Sequence, residues 1–408
     1  MPTVADLTAT VTSAIGALPP VESIRREERM QLLDALNKLR NSLETPIETI
    51  SRIGYGQFGL VATRIALAMG IFEAFIDAPS HELSISELST KAKGDEKLIA
   101  RIMRLLVTFE TFEDTGPDTY KATPFALSLK KGMPMHSSLA LVHDYLPVTA
   151  RLHEFFEATN YQNPEDTFNS PFQFAYNTTD HYFTWLGKNP EKQATFNVVM
   201  NAGRYFRNNW FEIYPVVEKL INGSGHGSGA QRDPQRALVV DIGGNTGHEV
   251  IAFRKHFPEI HDRLVLQDLP TVIDQLPKPL GPNIDAVKHS MFEPQPIKGA
   301  RAYYMRTVLH DWPDKQCFEA LGHIRDAMAP DSVLLLHEIL GLDDKLHGAE
   351  AENTVALDFM MMEVFASLER TQAQWIDLLE RAGFRVSKVY RPANEFNFAF
   401  GLFEAVPA

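Results

Sequence analysis

The sequence predicts an α/β protein in which mainly helical segments come first and a parallel sheet wrapped by helices follows. Two observations support this prediction. Beyond residue 236, short apolar runs alternate with stretches of helical periodicity, which is the pattern of a parallel sheet covered by helices. Before residue 150, apolar residues mostly recur at helical spacing. The chain has 408 residues, 44% of them hydrophobic, which is enough for two or three domains.

Residues 1–150 are predicted to form a helical domain. Two amphipathic helices come first, and the nearly all-apolar run from Phe58 to Phe75 indicates a buried helix. A short helix near 84–88, a longer helix at 96–110 and a hairpin signal within 112–123 complete the layout of a winged helix. The apolar stripe at 30–39 could pack either on a second copy of the chain or on the same chain.

Residues 151–221 are predicted as linker helices rich in aromatic side chains, among them Phe183, Trp185 and Phe196. This density fits either a hydrophobic core or the wall of an apolar pocket. The Gly- and Ser-rich stretch 222–236 is predicted as a flexible surface loop.

Residues 237–408 are predicted to form the domain that contains the parallel sheet. Its candidate strands are residues 238–242, 263–267, 284–287, 302–305 and 333–336. Two further strands, at 384–390 and 397–400, are predicted to pair with each other as a hairpin.

The composition argues against several functional classes. Lysine and arginine number 39 against 52 acidic residues, a formal net charge of −13, so a general basic footprint for nucleic acid or an anionic membrane is absent. The single cysteine, Cys317, can form neither an intramolecular disulfide nor a cysteine-based metal site alone. We therefore expect a buried structural thiol and no metal. No uninterrupted apolar run approaches the about 18 residues of a membrane span, and the N-terminus lacks the basic start of a signal peptide. A cytoplasmic protein is expected.

A glycine-rich motif at 241–247 directly follows the first strand of the sheet and opens a helix. Such a turn brings the backbone close to a ligand at the end of the strand. The second strand ends in Asp268, which is placed to accept from a ribose diol. The motif reads G-G-x-x-G after Asp241 rather than G-x-G-x-x-G, and an acid there suits a cationic ligand better than a pyrophosphate. This favours S-adenosylmethionine, a sulfonium with an ammonium group, over a dinucleotide.

A histidine follows the fourth strand. His310 and Asp311 are therefore predicted to lie on the same rim of the sheet as the glycine-rich motif. A histidine flanked by carboxylates is suited to general base catalysis. Glu338, near the end of the fifth strand, and Glu369, before a later helix, could supply those carboxylates. They could equally be solvated or capping residues.

Together these motifs resemble those of the plant and fungal small-molecule O-methyltransferases, the class that includes caffeate and flavonoid O-methyltransferases. They are D-x-G-G-x-x-G at 241–247, L-x-D-L-P at 266–270, L-H-D-W at 309–312 and E-R-T at 369–371. The resemblance covers most of the chain. It implies a Rossmann-like class I methyltransferase domain behind a winged-helix dimerisation domain. It also implies a homodimer, S-adenosylmethionine as cofactor, an aromatic small-molecule substrate and a fungal secondary-metabolite type of enzyme.

The motifs and the resemblance together give the candidate site residues. Those expected at the cofactor are Asp241, Gly243, Gly244, Gly247, Asp268, Leu269, Ser290, Met291, Phe292 and Arg306. His310 would be the base, with Asp311, Glu338 and Glu369 around it, and Phe196, Met200, Met361 and Phe365 would touch the acceptor. Core packing explains Met361 and Phe365 nearly as well. Family members commonly have Asp where this chain has Ser290, so we expect weaker recognition of the adenine.

The expected activity is methyl transfer to a hydroxyl of an aromatic or polyketide-like molecule. One alternative is an enzyme that binds the cofactor but catalyses dehydration or pericyclic chemistry without methyl transfer. The retained His310 and Asp311 favour methylation. A remote alternative is a winged-helix DNA-binding regulator, but acidic residues interrupt the basic residues of 84–110.

Overall fold

A computed structural model describes residues 3–202, 208–222, 235–276, 279–342, 349–392 and 398–408. Most of the predicted Gly/Ser loop at 222–236 lies outside these ranges. Within them, no helix is both long and apolar enough to cross a bilayer.

The chain begins with four helices: α1 (Val4–Ala17), α2 (Arg26–Leu43), α3 (Pro46–Ala68) and α4 (Ile71–Ile76). Reciprocal hydrogen bonds between Thr3 and Asp6 cap the start of α1, and those between Thr45 and Glu48 cap α3. Neither α1 nor α2 contains a buried residue. The predicted helix from Phe58 to Phe75 is in fact two helices, because the chain turns at Gly70, whose φ is 71°.

A small antiparallel sheet follows these helices. Its elements are β1 (Glu82–Ser84), α5 (Ile85–Ala92), α6 (Glu96–Thr108), β2 (Phe112–Gly116) and β3 (Thr119–Ala122). The strand order is β1-β3-β2. The two predicted helices and the hairpin are present, whereas the three-residue strand β1 was not predicted. Phe72 and Phe75 of α4 pack on Phe112 and join the hairpin to the helices.

The middle of the chain is helical: α7 (Pro124–Ser128), α8 (Pro134–Ala158), α9 (Pro171–Tyr176), α10 (Tyr182–Gly187), α11 (Pro190–Ala202) and α12 (Trp210–Ile213). A short π-helical turn spans Val217–Ile221. Helix α8 continues through residue 150, where the sequence predicts a domain boundary. Aromatic side chains of α8, α9 and α10 form one cluster with the C-terminal end of a later helix, residues 361–365.

The large sheet has seven strands: β4 (Ala237–Ile242), β5 (Arg263–Asp268), β6 (Ile284–Lys288), β7 (Ala302–Arg306), β8 (Val333–Ile339), β9 (Phe384–Tyr390) and β10 (Phe400–Pro407). Their order is β6-β5-β4-β7-β8-β10-β9. The first five strands are parallel, and β10 runs antiparallel to both of its neighbours. The helices of this region are α13 (His248–His256), α14 (Pro270–Ile273), α15 (Asp314–Arg325), α16 (Ala349–Phe365) and α17 (Gln372–Arg381).

The last strand corrects the prediction. The sequence predicts a strand at 397–400, whereas β10 begins at Phe400 and continues to Pro407. Residues 400–405 are all buried, so the segment lacks the alternation that marks a half-exposed strand. The predicted pairing of the two last strands is confirmed, and β10 also pairs with β8.

Candidate functional site

The glycine-rich loop joins β4 to α13 at the carboxyl end of the sheet. Gly243 and Gly247 both have positive φ, 70° and 80°, a conformation that favours glycine. The backbone N–H groups of Gly243 and Gly244 both donate to the carbonyl oxygen of Gln267. A Cβ on Gly244 would overlap the carboxylate of Asp241, which is itself buried. The loop is therefore held tightly against the ends of β4 and β5.

Asp268, at the end of β5, is fixed by two backbone donors. Its carboxylate accepts from the N–H of Asn245 and from that of Leu269, both at 2.7 Å. Burial raises the pKa of Asp268, and the two N–H donors oppose that rise. A carboxylate has four lone-pair sites, so this one can accept further hydrogen bonds. Nearby, the side-chain oxygen of Asn245 is buried and accepts from none of the described residues.

The polar atoms at this strand end are thus hydrogen-bond acceptors. They suit a ligand that presents donors, such as ribose hydroxyls or an ammonium group, better than a phosphate, which presents acceptors. The site accordingly fits S-adenosylmethionine on the chemistry of its own atoms.

A buried ion pair lies behind the loop. Arg306, the last residue of β7, donates to Glu249 in the first turn of α13 at 2.7 Å, and both side chains are about 5% exposed. Burial acts to lower the pKa of Arg306, but the charges of Glu249 and Tyr304 and the hydrogen bonds to them together outweigh burial and raise that pKa. The pair ties the helix that follows the glycine-rich loop to the strand that precedes His310. The role of Arg306 beside the predicted cofactor site is therefore mainly structural.

The remaining predicted cofactor residues lie beyond β5 and β6. Leu269 is partly exposed. The Ser290 hydroxyl accepts from the backbone N–H of Phe292 at 3.4 Å, so it caps its own turn. The Phe292 ring meets the Trp312 ring edge to face at 4.6 Å. Met291, like Phe292, is partly buried and packs against the hydrophobic cluster that includes Trp312.

His310 lies in a short 3₁₀ turn, Leu309–Asp311, that follows β7. Its Nδ1 is 2.8 Å from Oε1 of Glu369, and its Nε2 is 3.4 Å from Oδ1 of Asp311. The side chain of Glu369 is fully buried. The structure thus brings together His310, Asp311 and Glu369, an arrangement that the resemblance implies.

The carboxylates around His310 control its charge. Burial alone would lower the pKa of His310, but the charges of Glu369, Asp311 and Glu338 and the hydrogen bond to Glu369 together outweigh burial and raise that pKa above 6.5. Burial raises the pKa of Asp311 to about 6 and that of Glu338 to about 7. The imidazolium form is therefore well stabilised in this pocket.

Glu338, in contrast, holds the backbone beside His310. Its Oε1 accepts from the N–H of Val308 at 3.2 Å and from that of Leu309 at 2.9 Å. The sequence predicts Glu338 as a partner of His310; the hydrogen bonds that it makes go to the turn, and it acts on the ring through its charge.

Three further side chains hold the turn and were not predicted in that role. The Arg370 guanidinium donates to the carbonyl oxygens of Leu309 and Trp312 and to Asp314. The Ser367 hydroxyl donates to the His310 carbonyl oxygen at 2.6 Å. The Cys317 thiol contacts the same carbonyl oxygens as Arg370, and burial raises its pKa to about 12. The prediction of a buried structural thiol is confirmed. Arg370 is part of the E-R-T motif at 369–371, and that motif was the signal in the sequence from which its role could have been predicted.

Gly341 is another residue that the sequence analysis missed. Its N–H donates to the Arg370 carbonyl oxygen at 2.9 Å, and a Cβ there would overlap the carbonyl oxygen of Glu369. Only glycine lets the end of β8 lie this close to the segment that carries Glu369. Its position three residues after Glu338 was a weak signal.

The cofactor loop and the base turn touch each other directly. A Cβ on Gly243 would lie 2.8 Å from a methyl carbon of Val308. The two motifs, 65 positions apart in the sequence, are therefore adjacent at the carboxyl edge of the sheet. Among the described residues, no group of three or more His, Cys, Asp and Glu side chains is arranged to hold a metal ion.

The predicted acceptor residues border the aromatic cluster. Met361 and Phe365 of α16 are buried within it, and Phe196 is half-buried with its ring 6.1 Å from Tyr182. Met200, one turn further along α11, is 38% exposed. Tyr182 connects the group, because its ring lies 5.2 Å from that of Phe365.

We expect Gly341→Ala to destabilise the protein by about 1–3 kcal/mol, the usual cost of overpacking, because the new methyl group must displace the backbone of Glu369. Urea unfolding measures this change. The matched control is Gly322→Ala in α15, where a Cβ meets nothing within 4 Å, and it should be neutral or slightly stabilising. Equal stabilities of the two variants would contradict the close approach.

The chain is similar to known methyltransferases. Residues 234–385 match the family model of the O-methyltransferase domain. The methyltransferase cfoC of Aspergillus candidus is 35% identical over 95% of this chain and 96% of its own length. The O-methyltransferase ucdC of Aspergillus ustus is 32% identical over 90% of this chain and 93% of its own.

Solved structures match over nearly the whole chain. A structure of LepI in complex with S-adenosylmethionine aligns with a TM-score of 0.83 and 27% identity, covering 99% of this chain and all of that one. By sequence, the O-methyltransferase lepI of Aspergillus flavus is 29% identical over 89% of this chain and 90% of its own length. The predicted family is therefore confirmed: the chain belongs to the S-adenosylmethionine-dependent O-methyltransferases.

Proposed function

We propose that this enzyme transfers the methyl group of S-adenosylmethionine to a hydroxyl of an aromatic or polyketide-like small molecule, with His310 as the general base. The observation that carries the proposal is the buried contact between His310 and Glu369 directly beside the glycine-rich loop. A base at this position serves methyl transfer, whereas cofactor binding alone does not need one.

Binding of the cofactor is assigned to the edge formed by the glycine-rich loop and the end of β5. Asp268 and Asn245 offer acceptors to its hydroxyl or ammonium groups, and the loop backbone lies close by. Phe292 and Met291 supply an apolar surface for the adenine, while Ser290 offers a neutral oxygen where relatives of this type commonly carry an acid. When bound, the cofactor supplies an electrophilic methyl group on a sulfonium.

The protein's part in the reaction is to remove a proton. Nδ1 of His310 is bonded to Glu369, which leaves Nε2 as the atom that accepts the proton of the acceptor hydroxyl. Glu369 and Asp311 stabilise the imidazolium that forms. The same carboxylates raise the pKa of His310. The ring is therefore a stronger base, but a smaller fraction of it is neutral in the free enzyme near pH 7.

The acceptor is assigned to the space bordered by Phe196, Met200, Met361 and Phe365. The neighbouring rings of Tyr182 and Phe183 support a flat aromatic molecule. A relative supports the same class: a demethylsterigmatocystin 6-O-methyltransferase of Aspergillus parasiticus is 29% identical over 89% of this chain.

A second candidate function has support from one structure. A protein described as a pericyclic reaction enzyme aligns with a TM-score of 0.83 and 27% identity over 98% of this chain and all of that one. Such an enzyme would turn over its substrate without consuming the cofactor. The pair of His310 and Glu369 supports methyl transfer, because a hydroxyl acceptor must lose its proton to a base, whereas a purely pericyclic step needs no proton transfer.

Dimerisation through the N-terminal helices is part of the proposal. Residues 1–150 are assigned as a helical dimerisation and winged-helix domain. Apolar side chains of α2 and the first half of α3 are exposed by 40% or more; they are Leu32, Leu36, Leu39, Leu43, Ile47, Ile50 and Ile53. Exposed apolar surface of this extent marks an interaction site, and a second copy of the chain is the occupant.

Light scattering tests the dimer. The wild-type protein should show twice the 45.9 kDa mass of one chain. The double variant Leu36→Glu, Ile50→Glu should be monomeric, because four like charges per dimer would enter the interface. A monomeric wild type, or a variant that stays dimeric, would contradict this assignment.

Replacing His310 tests its role as base. We expect His310→Ala to lower the rate of methylated product formation by about 10²–10⁴-fold, the usual contribution of a general base. The measurement is S-adenosylhomocysteine and methylated product, quantified together against a panel of phenols, with cofactor affinity measured by calorimetry. His153→Ala, at an exposed position of α8, is the matched control.

The wild-type enzyme should form the two products in equal amounts. A product made without S-adenosylhomocysteine would favour the pericyclic alternative. A His310→Ala enzyme that binds the cofactor and methylates at the wild-type rate would refute the role of His310 as general base.

The pH dependence of kcat/KM reports the charge of His310 in the free enzyme. Activity requires the neutral ring, so it should rise with pH, and the acid limb should lie above pH 6.5 because the carboxylates raise this pKa. Glu369→Gln keeps a hydrogen-bond acceptor but removes a negative charge, so the limb should move to lower pH. A limb that stays in place, or that moves upward, would show that Glu369 does not set the pKa of His310.

A further inference from the structure

A second histidine lies on the acceptor side, and the mechanism above does not use it. His181, which precedes α10, is 5% exposed, and its ring stacks on that of Trp312 at 4.3 Å with an angle of 9° between the planes. The ring of Phe365, one of the predicted acceptor residues, is 6.3 Å away. Trp312 directly follows the His310–Asp311 pair, so His181 lies beside both that turn and a predicted acceptor residue.

The hydrogen bonds of His181 define which nitrogen carries its proton. Nδ1 accepts from the backbone N–H of Phe183 at 3.3 Å. Burial lowers the pKa of His181 to about 4, so the ring is neutral at physiological pH. A neutral ring whose Nδ1 accepts carries its proton on Nε2. That Nε2–H is buried and donates to none of the described residues.

Two neighbouring phenols, Tyr145 and Tyr182, also offer one O–H that can donate a further hydrogen bond. The hydroxyls of Tyr145 and Tyr182 are 3.0 Å apart, and both side chains are buried. Only one O–H of such a pair can lie between the two oxygens. No further acceptor for the second O–H is found in the part of the chain that the structure describes. Burial raises the pKa of both phenols, and the charge of Asp311 adds to it, so both stay protonated.

The residues that carry these donors lie beside two of the predicted acceptor contacts, Phe196 and Phe365. The Tyr182 ring is 5.2 Å from that of Phe365 and 6.1 Å from that of Phe196, and the His181 ring is 6.3 Å from that of Phe365. Buried donors in native proteins nearly always have a partner, and a ligand oxygen would supply one for each.

We propose that His181, together with the pair of Tyr145 and Tyr182, binds oxygen atoms of the acceptor other than the methylated hydroxyl, so that the enzyme selects aromatic acceptors that carry a ring carbonyl. This inference rests on the proposed methyl transfer for the identity of the pocket. It adds a specificity determinant that the reaction itself does not require.

Two probes that share a skeleton test the inference. 2-Hydroxyanthraquinone and 2-hydroxyanthracene carry the same hydroxyl on three fused rings and differ by two carbonyl oxygens. Affinity is measured by quenching of tryptophan fluorescence with S-adenosylhomocysteine present, and kcat/KM is measured with S-adenosylmethionine. The wild-type protein should prefer the quinone by about tenfold or more, since its donors stay unsatisfied with the hydrocarbon.

The variants separate recognition from folding. His181→Phe keeps a ring to stack on Trp312 but has no donor, and it should reduce the preference to near one. Tyr182→Phe removes the spare phenolic proton and should reduce it in part. The control is Tyr176→Phe, whose hydroxyl already donates to the Asp144 carbonyl oxygen at 2.7 Å; its preference should match the wild type. General damage to the fold would weaken the binding of both probes alike and leave the ratio of their affinities unchanged.

Two outcomes would overturn the inference: a wild type that binds the hydrocarbon at least as well as the quinone, or a His181→Phe protein that keeps the full preference. If neither probe is methylated but the binding preference is present and depends on His181, the proposed methyl transfer fails while the recognition stands.

Discussion

The site depends on one constraint: an imidazole that must gain and lose a charge is buried among carboxylates. A buried charge is tolerated only when it is paired and hydrogen-bonded. The contact of 2.8 Å between His310 and Glu369 meets that condition, but only while both residues are held in place. The end of β8 holds the turn from one side through Glu338, and Arg370 holds it from the other. Much of the local structure serves to keep two side chains in contact.

The order of the strands brings this base to the cofactor loop. Strand β4 is paired with β5 on one side and β7 on the other, so the loop after β4 lies between Asp268 and the turn of His310. Parallel strands place all their carboxyl ends on one edge. The buried pair of Arg306 and Glu249 then joins the two neighbouring elements. Gly243 and Val308 are in contact because this edge leaves no space between them.

Sequence alone predicted the positions of the strands and the motifs at their ends, because buried parallel strands read as apolar runs and the motifs follow them directly. It could not predict contacts that depend on tertiary packing. Glu338 was expected as a partner of His310; it acts on the ring through its charge, and its hydrogen bonds go to the turn. Gly341 was missed because the crossing of β8 and the Glu369 segment is invisible in the sequence. His181 was missed because no periodicity marks a side chain whose role comes from stacking on Trp312. The last strand was misplaced since a fully buried antiparallel strand lacks alternation.

We expect the buried carboxylates to keep His310 a stronger base than free histidine. The most direct measurement is an NMR titration of the protein with ¹⁵N-labelled histidine, in which the His310 resonance is assigned by its loss in His310→Ala. We expect a midpoint above pH 6.5 in the ligand-free enzyme. A midpoint below 6.5 would mean that burial outweighs the carboxylates, and the proposed electrostatic design of the base would be wrong.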